Sequence, residues 1–246
     1  MRIGVPAEIK NNEHRVGLTP ESVYELCSVG LEVNIQSQAG SAIGFIDQDY
    51  QQAGATILFS ASDVYEASDL IVKVKEPLPE EFKFLSSDKT LFTYLHLAGN
   101  KSQAAELMNT GVTGIAYETV TSSDGSLPLL APMSKIAGQI SVVVGQYFLL
   151  KPNGGIGTIL GSVENIERRV VTVIGAGVAG REAIKKAIAN DAHLKILDLS
   201  QKRLDELKEQ FGTNNIEYIL SDSSSCLLYT SPSPRDATLS RMPSSA

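Results

Sequence analysis

The chain has 246 residues, 43% hydrophobic and 20% charged, which is enough apolar mass for one large core or two modest ones. A formal net charge of −7 with no basic block argues against nucleic acid or an anionic membrane as partner and points to small molecules. No run of about 18 consecutive apolar residues occurs, and the start MRIGVPAEIK lacks the charged head and apolar centre of a signal segment, so a cytoplasmic protein is expected. Two cysteines, Cys27 and Cys226, make no disulfide framework.

In chain order, β-rich runs alternate with helical patterns. MRIGVP is followed by a helix from Thr19, then LEVNIQ, a short helix near Asp47, ATILF, a helix near Ser62, and DLIVKVK. TLFTYLHL, the helical SQAAELMNTG and VTGIAYETV complete the first half. Strands separated by helices at this spacing predict an α/β fold with a parallel sheet. The helix at Thr19 has clear boundary chemistry: threonine as N-cap, Pro20 at the first helical position where no N–H is needed, and Gly30 to close it.

A second unit is expected to begin near Pro132. The stretch SKIAGQISVVVGQYFLL carries apolar residues at helical spacing from Ile136 to Leu150, with Ser134 as its N-cap. A loose, Gly-rich segment, KPNGGIGTILGSVENIE, leads into RRVVTVIGAGVAGREAIKKAIANDAHLKILDLS, which reads as strand, tight turn, helix and strand. The expected organisation is an N-terminal α/β substrate domain over 1–131, a partial Rossmann domain with a linking helix over 132–220, and a tail over 221–246. The tail is Ser- and Pro-rich and aperiodic. CLLYTSPSPRD within it back-translates to a sequence resembling a transposon-derived sequencing adaptor. Residues 226–246 are therefore expected to be translated adaptor, with the natural chain cut off near residue 225, and are excluded from fold reasoning.

VVTVIGAGVAG sets Gly175, Gly177 and Gly180 in the GxGxxG pattern between a strand and a helix. The first glycine permits the turn, the second lets a pyrophosphate approach, the third lets helix and strand pack, and the helix N-terminus supplies donors and positive potential. Asp198 ends the next strand about 20 residues on, where a carboxylate accepts from both ribose hydroxyls and repels a 2′-phosphate, so NAD is favoured over NADP. Arg203, five residues later, belongs either to a solvated helix face or to the adenine end.

Polar residues at the carboxyl ends of parallel strands sit where such sheets bind ligands. Lys75 closes DLIVKVK, His96 closes TLFTYLHL and Glu118 closes VTGIAYETV. Alternation places Phe92, Tyr94 and His96 on one face. Arg15, after the first strand, offers a bidentate fork for a carboxylate. With NAD, this set predicts hydride transfer at a small carboxylate-bearing substrate: Lys75 donates to a carbonyl or carbinolamine oxygen and His96 moves a proton. Glu118 either joins the site or pairs with Lys75 and orients it. His14, His96 and His193 show no metal-ligand spacing.

At MRIGVPAEIKNNEHRVGLTP, VKVKEP, LFTYLHLA, GIAYETV and LPLLAPMSKIAG, the chain resembles alanine dehydrogenases over residues 1–220. The resemblance implies NAD-dependent oxidative deamination of L-alanine to pyruvate and ammonia, by a cytoplasmic hexamer of two-domain subunits. It implies that Arg15, Lys75, Tyr94, His96 and Met133 lie at the substrate, with Lys75 and His96 catalytic. It also implies that Ser134, Gly175, Gly177, Val178, Gly180, Asp198 and Arg203 lie along NAD. Two features depart from the family. GAGVAG is closer to the NAD-binding subunit of proton-translocating transhydrogenase than to the GGGVVG usual in alanine dehydrogenases, which makes that subunit the rival reading. The family also continues beyond residue 220, where it completes the Rossmann sheet and supplies a further catalytic aspartate. A third reading is an inactive fragment whose unpaired sheet edge and uncovered apolar face favour aggregation.

Overall fold

The computed structural model describes residues 1–222. Cys226 and the segment expected to be adaptor lie outside the described residues. The chain divides into two compact units, Met1–Leu130 and the residues from Ala131 onward. Both are α/β, and both sheets are wholly parallel.

The first unit holds strands β1 (Arg2–Val5), β2 (Glu32–Gln36), β3 (Thr56–Leu58), β4 (Leu70–Val72), β5 (Thr90–Thr93) and β6 (Thr113–Ala116). Between them run helices α1 (Pro20–Ser28), α2 (Asp47–Gln52), α3 (Ala61–Ala67), α4 (Pro79–Phe82) and α5 (Lys101–Thr110). Local chemistry sets the helix ends. Thr19 Oγ1 accepts from Ser22 N at 3.3 Å with Pro20 at N1, and Gly30 takes φ +85° just past the end of α1. Ser60 and Asp63 cap α3 reciprocally, each side chain accepting from the other's backbone N–H.

Helices cover both faces of the sheet. Adjacent residues of β4 show this: Ile71 packs with Tyr65, Leu91 and Leu107, whereas Val72 packs with Ile3, Val5, Val23 and Tyr50. A strand buried on both faces needs continuous apolar residues, which is why these strands read as runs of Val, Ile and Leu. The strand order is β3-β2-β1-β4-β5-β6. The chain therefore winds one way from β1 to β3, then returns beside β1 at β4 and winds the other way.

The second unit opens with α6 (Ala131–Leu149), followed by β7 (Val170–Ile174), α7 (Val178–Ala189), β8 (His193–Asp198), α8 (Gln201–Phe211) and β9 (Ile216–Leu220). Ser134 lies inside α6 and does not cap it, because the helix starts three residues earlier, with Pro132 in its first turn. The sheet order is β7-β8-β9. Its core gathers Val173, Ala176, Ile184, Leu194, Ile196, Leu204 and Leu207. No described helix is long and apolar enough to cross a membrane.

Candidate active site

The winding reverses between β1 and β4, and in such sheets the crevice outside the carboxyl ends of the strands flanking the reversal is the usual ligand position. The loop after β1 crosses the end of β4 at a distance only glycine tolerates: a Cβ on Gly17 would lie 2.6 Å from Val72 O. Beyond that crossing, Tyr50 donates its hydroxyl to Leu18 O at 2.9 Å and pins the loop. Arg15, two residues before the crossing, is thereby brought to the end of β4.

Glu13 grips the Arg15 guanidinium, with Nε–Oε1 at 2.8 Å and Nη2–Oε2 at 2.6 Å, while its Oε1 also accepts from Arg15 N. These bonds to Arg15, first its side chain, hold the Glu13 carboxyl down to about 2, and the same pairing raises Arg15. The fork read from sequence as a substrate clamp is therefore already oriented on one edge by a carboxylate. Arg15 also acts electrostatically on Tyr94, opposing the rise that burial causes in that phenol.

Lys75 does not close β4, which stops at Val72. The amides of Val74 and Lys75 turn to Glu8 Oε1 instead, at 2.6 and 3.3 Å, so a carboxylate replaces the ladder acceptor. The Lys75 side chain is 21% exposed, with Nζ 3.9 Å from Glu76 Oε2, and Glu76 also binds Lys10. Beneath it the fully buried Lys73 lies 3.3 Å from Glu8 Oε2 and 2.7 Å from Glu81 Oε1. Tyr65 donates to the same Glu81 oxygen at 3.1 Å.

His96 likewise does not close a strand, since β5 stops at Thr93. It lies past the strand in a left-handed backbone with φ 49° and ψ 34°, a break in the extended chain that nevertheless leaves its ring beside Tyr94. Glu118 accounts for the break. Its carboxylate accepts from Leu95 N at 3.2 Å and His96 N at 2.7 Å, drawing both amides away from the ladder. Glu118 thus pairs with the main chain under His96 and not with Lys75. The imidazole is exposed and stacks on Tyr94 at 5.8 Å and 10°. Tyr94 is held by its hydroxyl, which donates to Leu129 O at 2.6 Å, and by the edge of Tyr117.

Arg15, Lys75, Tyr94 and His96 thus cluster at the carboxyl ends of β1, β4 and β5. Sequence reasoning passed over Glu8, Glu13 and Lys73. The signal available was that AEIKNNEHR carries two carboxylates in the same loop as Arg15, where strand-end residues merit equal attention whatever their sign.

In the second unit, the turn from β7 to α7 uses its three glycines differently. Gly175 has φ +84°, which favours glycine. A Cβ on Gly180 would lie 2.0 Å from Gly175 O, so helix and turn are in direct contact. A Cβ on Gly177 would meet nothing within 4 Å, leaving open space before the N-terminus of α7, where Val178 is the first helical residue. That combination fits a pyrophosphate. Asp198, 5% exposed, closes β8; its Oδ2 accepts from Ala176 N at 2.8 Å and its Oδ1 from Ser200 N at 2.9 Å. Arg203 Nη1 lies 3.1 Å from Oδ2, so this arginine pairs with Asp198 and is not simply a solvated residue. Burial pushes the Asp198 carboxyl up, but these amides and Arg203 outweigh it and leave the pKa low. Met133 and Ser134 lie in the opening turn of α6.

Comparison with known proteins gives concordant results. A family model described as "Alanine dehydrogenase/PNT, N-terminal domain" matches residues 4–137, and "Alanine dehydrogenase/PNT, C-terminal domain" matches 141–230. The chain is 45% identical over 233 residues to an "Alanine dehydrogenase" of Staphylococcus epidermidis and equally to an "Alanine dehydrogenase 2" of Staphylococcus aureus, covering 95% of this chain and 62% of each relative. A solved structure of "L-alanine dehydrogenase" aligns with TM-score 0.83 and 48% identity over 92% of this chain and 62% of that one. A transhydrogenase structure from Sinorhizobium meliloti aligns with TM-score 0.74 at 24% identity over 93% of this chain and 64% of the other, a likeness of fold. The chain spans 62% of the length of the curated relatives it matches.

Proposed function

The chain belongs to the alanine dehydrogenase/PNT family, and from that premise we propose that the full-length protein is an NAD-dependent alanine dehydrogenase, converting L-alanine and water to pyruvate and ammonia. The observation that carries this reading is the cluster of Arg15, Lys75, Tyr94 and His96 at neighbouring strand ends. A hydride exchange between two nucleotides needs no such set, so the cluster favours an amino-acid substrate over the transhydrogenase reading.

Arg15, aimed by Glu13, binds the substrate carboxylate through its planar fork. Lys75 donates a hydrogen bond to the oxygen on the substrate's central carbon, stabilising charge at the carbonyl of pyruvate and at the carbinolamine. His96 moves the proton that accompanies formation and loss of that carbinolamine, and the Tyr94 ring fixes the imidazole plane. NAD, when bound, would supply the acceptor for the hydride on the alanine α-carbon. Gly175, Gly177, Val178 and Gly180 would hold its pyrophosphate, Asp198 and Arg203 would meet its adenosine ribose, and Ser134 would contribute from the opening turn of α6. In line with the family resemblance, the full-length protein is a cytoplasmic homohexamer.

The test is alanine-dependent NADH formation by the full-length gene product. Lys75→Ala and His96→Ala are each expected to lower kcat by about 10²-fold or more, with NADH binding unchanged by fluorescence titration. Normal turnover in either variant overturns the role given to that residue. Hydride exchange with NADP and indifference to alanine overturn the reading as a whole.

A further inference from the structure

Lys75 extends from a segment past the end of its strand, where Thr93 Oγ1 of β5 donates to Lys75 O at 2.9 Å and the Val74 and Lys75 amides are left to another acceptor. Among the described residues, the ladder pairings past Val72 are Lys73 N to Phe92 O at 3.1 Å and Tyr94 N to Val74 O at 3.3 Å. One side chain takes the next two amides: Glu8 Oε1 receives Val74 N and Lys75 N, while its Oε2 faces the Lys73 ammonium. Glu8 is itself fixed from behind. Ala7 N donates to Gln36 Oε1 at 2.9 Å, tying the residue before it to the end of β2, and the Glu8 side chain is 3% exposed. The ammonium it faces is fully buried and shared with Glu81, whose position Tyr65 secures. A buried carboxylate with one such pairing serves stability; one that spends its second oxygen on two consecutive amides also dictates backbone direction.

We propose that Glu8 is a positioning residue for Lys75: by holding the Val74 and Lys75 amides against the Lys73 ammonium, it fixes the line along which the Lys75 side chain enters the crevice between β1 and β4. This rests on the role given to Lys75 above, but two of its consequences do not depend on alanine turnover.

The experiment compares Glu8→Leu, Glu8→Gln and Glu8→Asp in the full chain with the unaltered protein. Glutamine keeps an acceptor for the amides, leucine removes it, and aspartate keeps the charge but withdraws it by one methylene. Amide hydrogen exchange at Val74 and Lys75 is expected to speed up about tenfold or more in Glu8→Leu, the scale of one ordinary hydrogen bond, with β2 protection retained. Modification of Lys75 by trinitrobenzenesulfonate, read by peptide mapping against Lys10, is expected to change by a similar factor. Glu8→Gln is expected to stay closer to the parent in both. Where Glu8→Leu fails to fold, Glu8→Asp makes the decision through the same two readouts. In the full-length enzyme, the displaced lysine is expected to lower kcat by roughly 10²-fold, the cost of about 1 Å of misplacement, with KM for NADH unchanged. Parent-like exchange at Val74 and Lys75, or parent-like Lys75 modification, in a folded Leu or Asp variant overturns the proposal. Absence of alanine turnover in the unaltered full-length protein overturns the functional reading instead and leaves the exchange and modification results to judge Glu8.

Discussion

Glu13 and Arg15 pair a largely covered carboxylate with a more exposed guanidinium. With its pKa lowered from 4.5 to about 2, Glu13 binds a proton less readily in the folded state than in the unfolded chain. Its contribution is therefore complete above about pH 4.5 and is lost as pH falls through about 2. Urea midpoints measured from pH 6 to 3 should show a shallower acid decline in Glu13→Gln than in the parent. In the full-length enzyme the same variant should raise KM for pyruvate about tenfold, because a single misdirected charge-assisted bond is of that size. Lys73 offers a separate check. Lys73→Met leaves Glu8 and Glu81 buried without their ammonium, and urea unfolding should register a loss of about 3–5 kcal/mol.

At the scale of elements, the helix-to-turn junctions were legible in the sequence and the strand ends were not. Thr19, Pro20 and Gly30 mark α1 through contacts within a few residues, and the spacing of Gly175, Gly177 and Gly180 specifies a turn by local geometry. β4 and β5, by contrast, end early because Glu8 and Glu118, 66 and 22 residues away from the amides they take, compete for those donors. No periodicity within DLIVKVK or TLFTYLHL records a competitor that distant. Ser134 misled for a related reason, since a serine before an apolar run resembles a cap wherever the preceding turn is helical. The close contact at Gly180 carries its own prediction. Gly180→Ala places a Cβ against Gly175 O, which is backbone and cannot swing aside, so α7 must shift. Fluorescence titration should then show NADH affinity reduced by more than about tenfold, as expected when backbone donors leave a phosphate.

At the scale of the whole molecule, the chain folds as two units with separate cores, and the glycine turn belongs to the second. NADH at 100 times its Kd should stabilise the state that binds it by about 2.7 kcal/mol. Hydrogen exchange should report that protection first in β7, α7 and β8, and least in β2 and β3; equal protection in both units would contradict the placement of NAD at the glycine turn. Among the described residues β7 is an edge strand, and it exposes Val170 at 54% and Ile174 at 60%. An apolar edge strand of this kind invites further pairing, so these measurements are best made at low protein concentration.

The capping of β4 and β5 by Glu8 and Glu118 separates two properties that enzymes often entangle. Both carboxylates grip peptide nitrogens, which every residue except proline supplies, and neither grips the reactive side chain itself. The address of each reactive group is thus written in the main chain, while its chemistry is written in whatever side chain stands there. Such a scaffold can exchange its reactive groups by single codon changes without redrawing the cleft, and new reactions become accessible to selection or design before any new architecture is required.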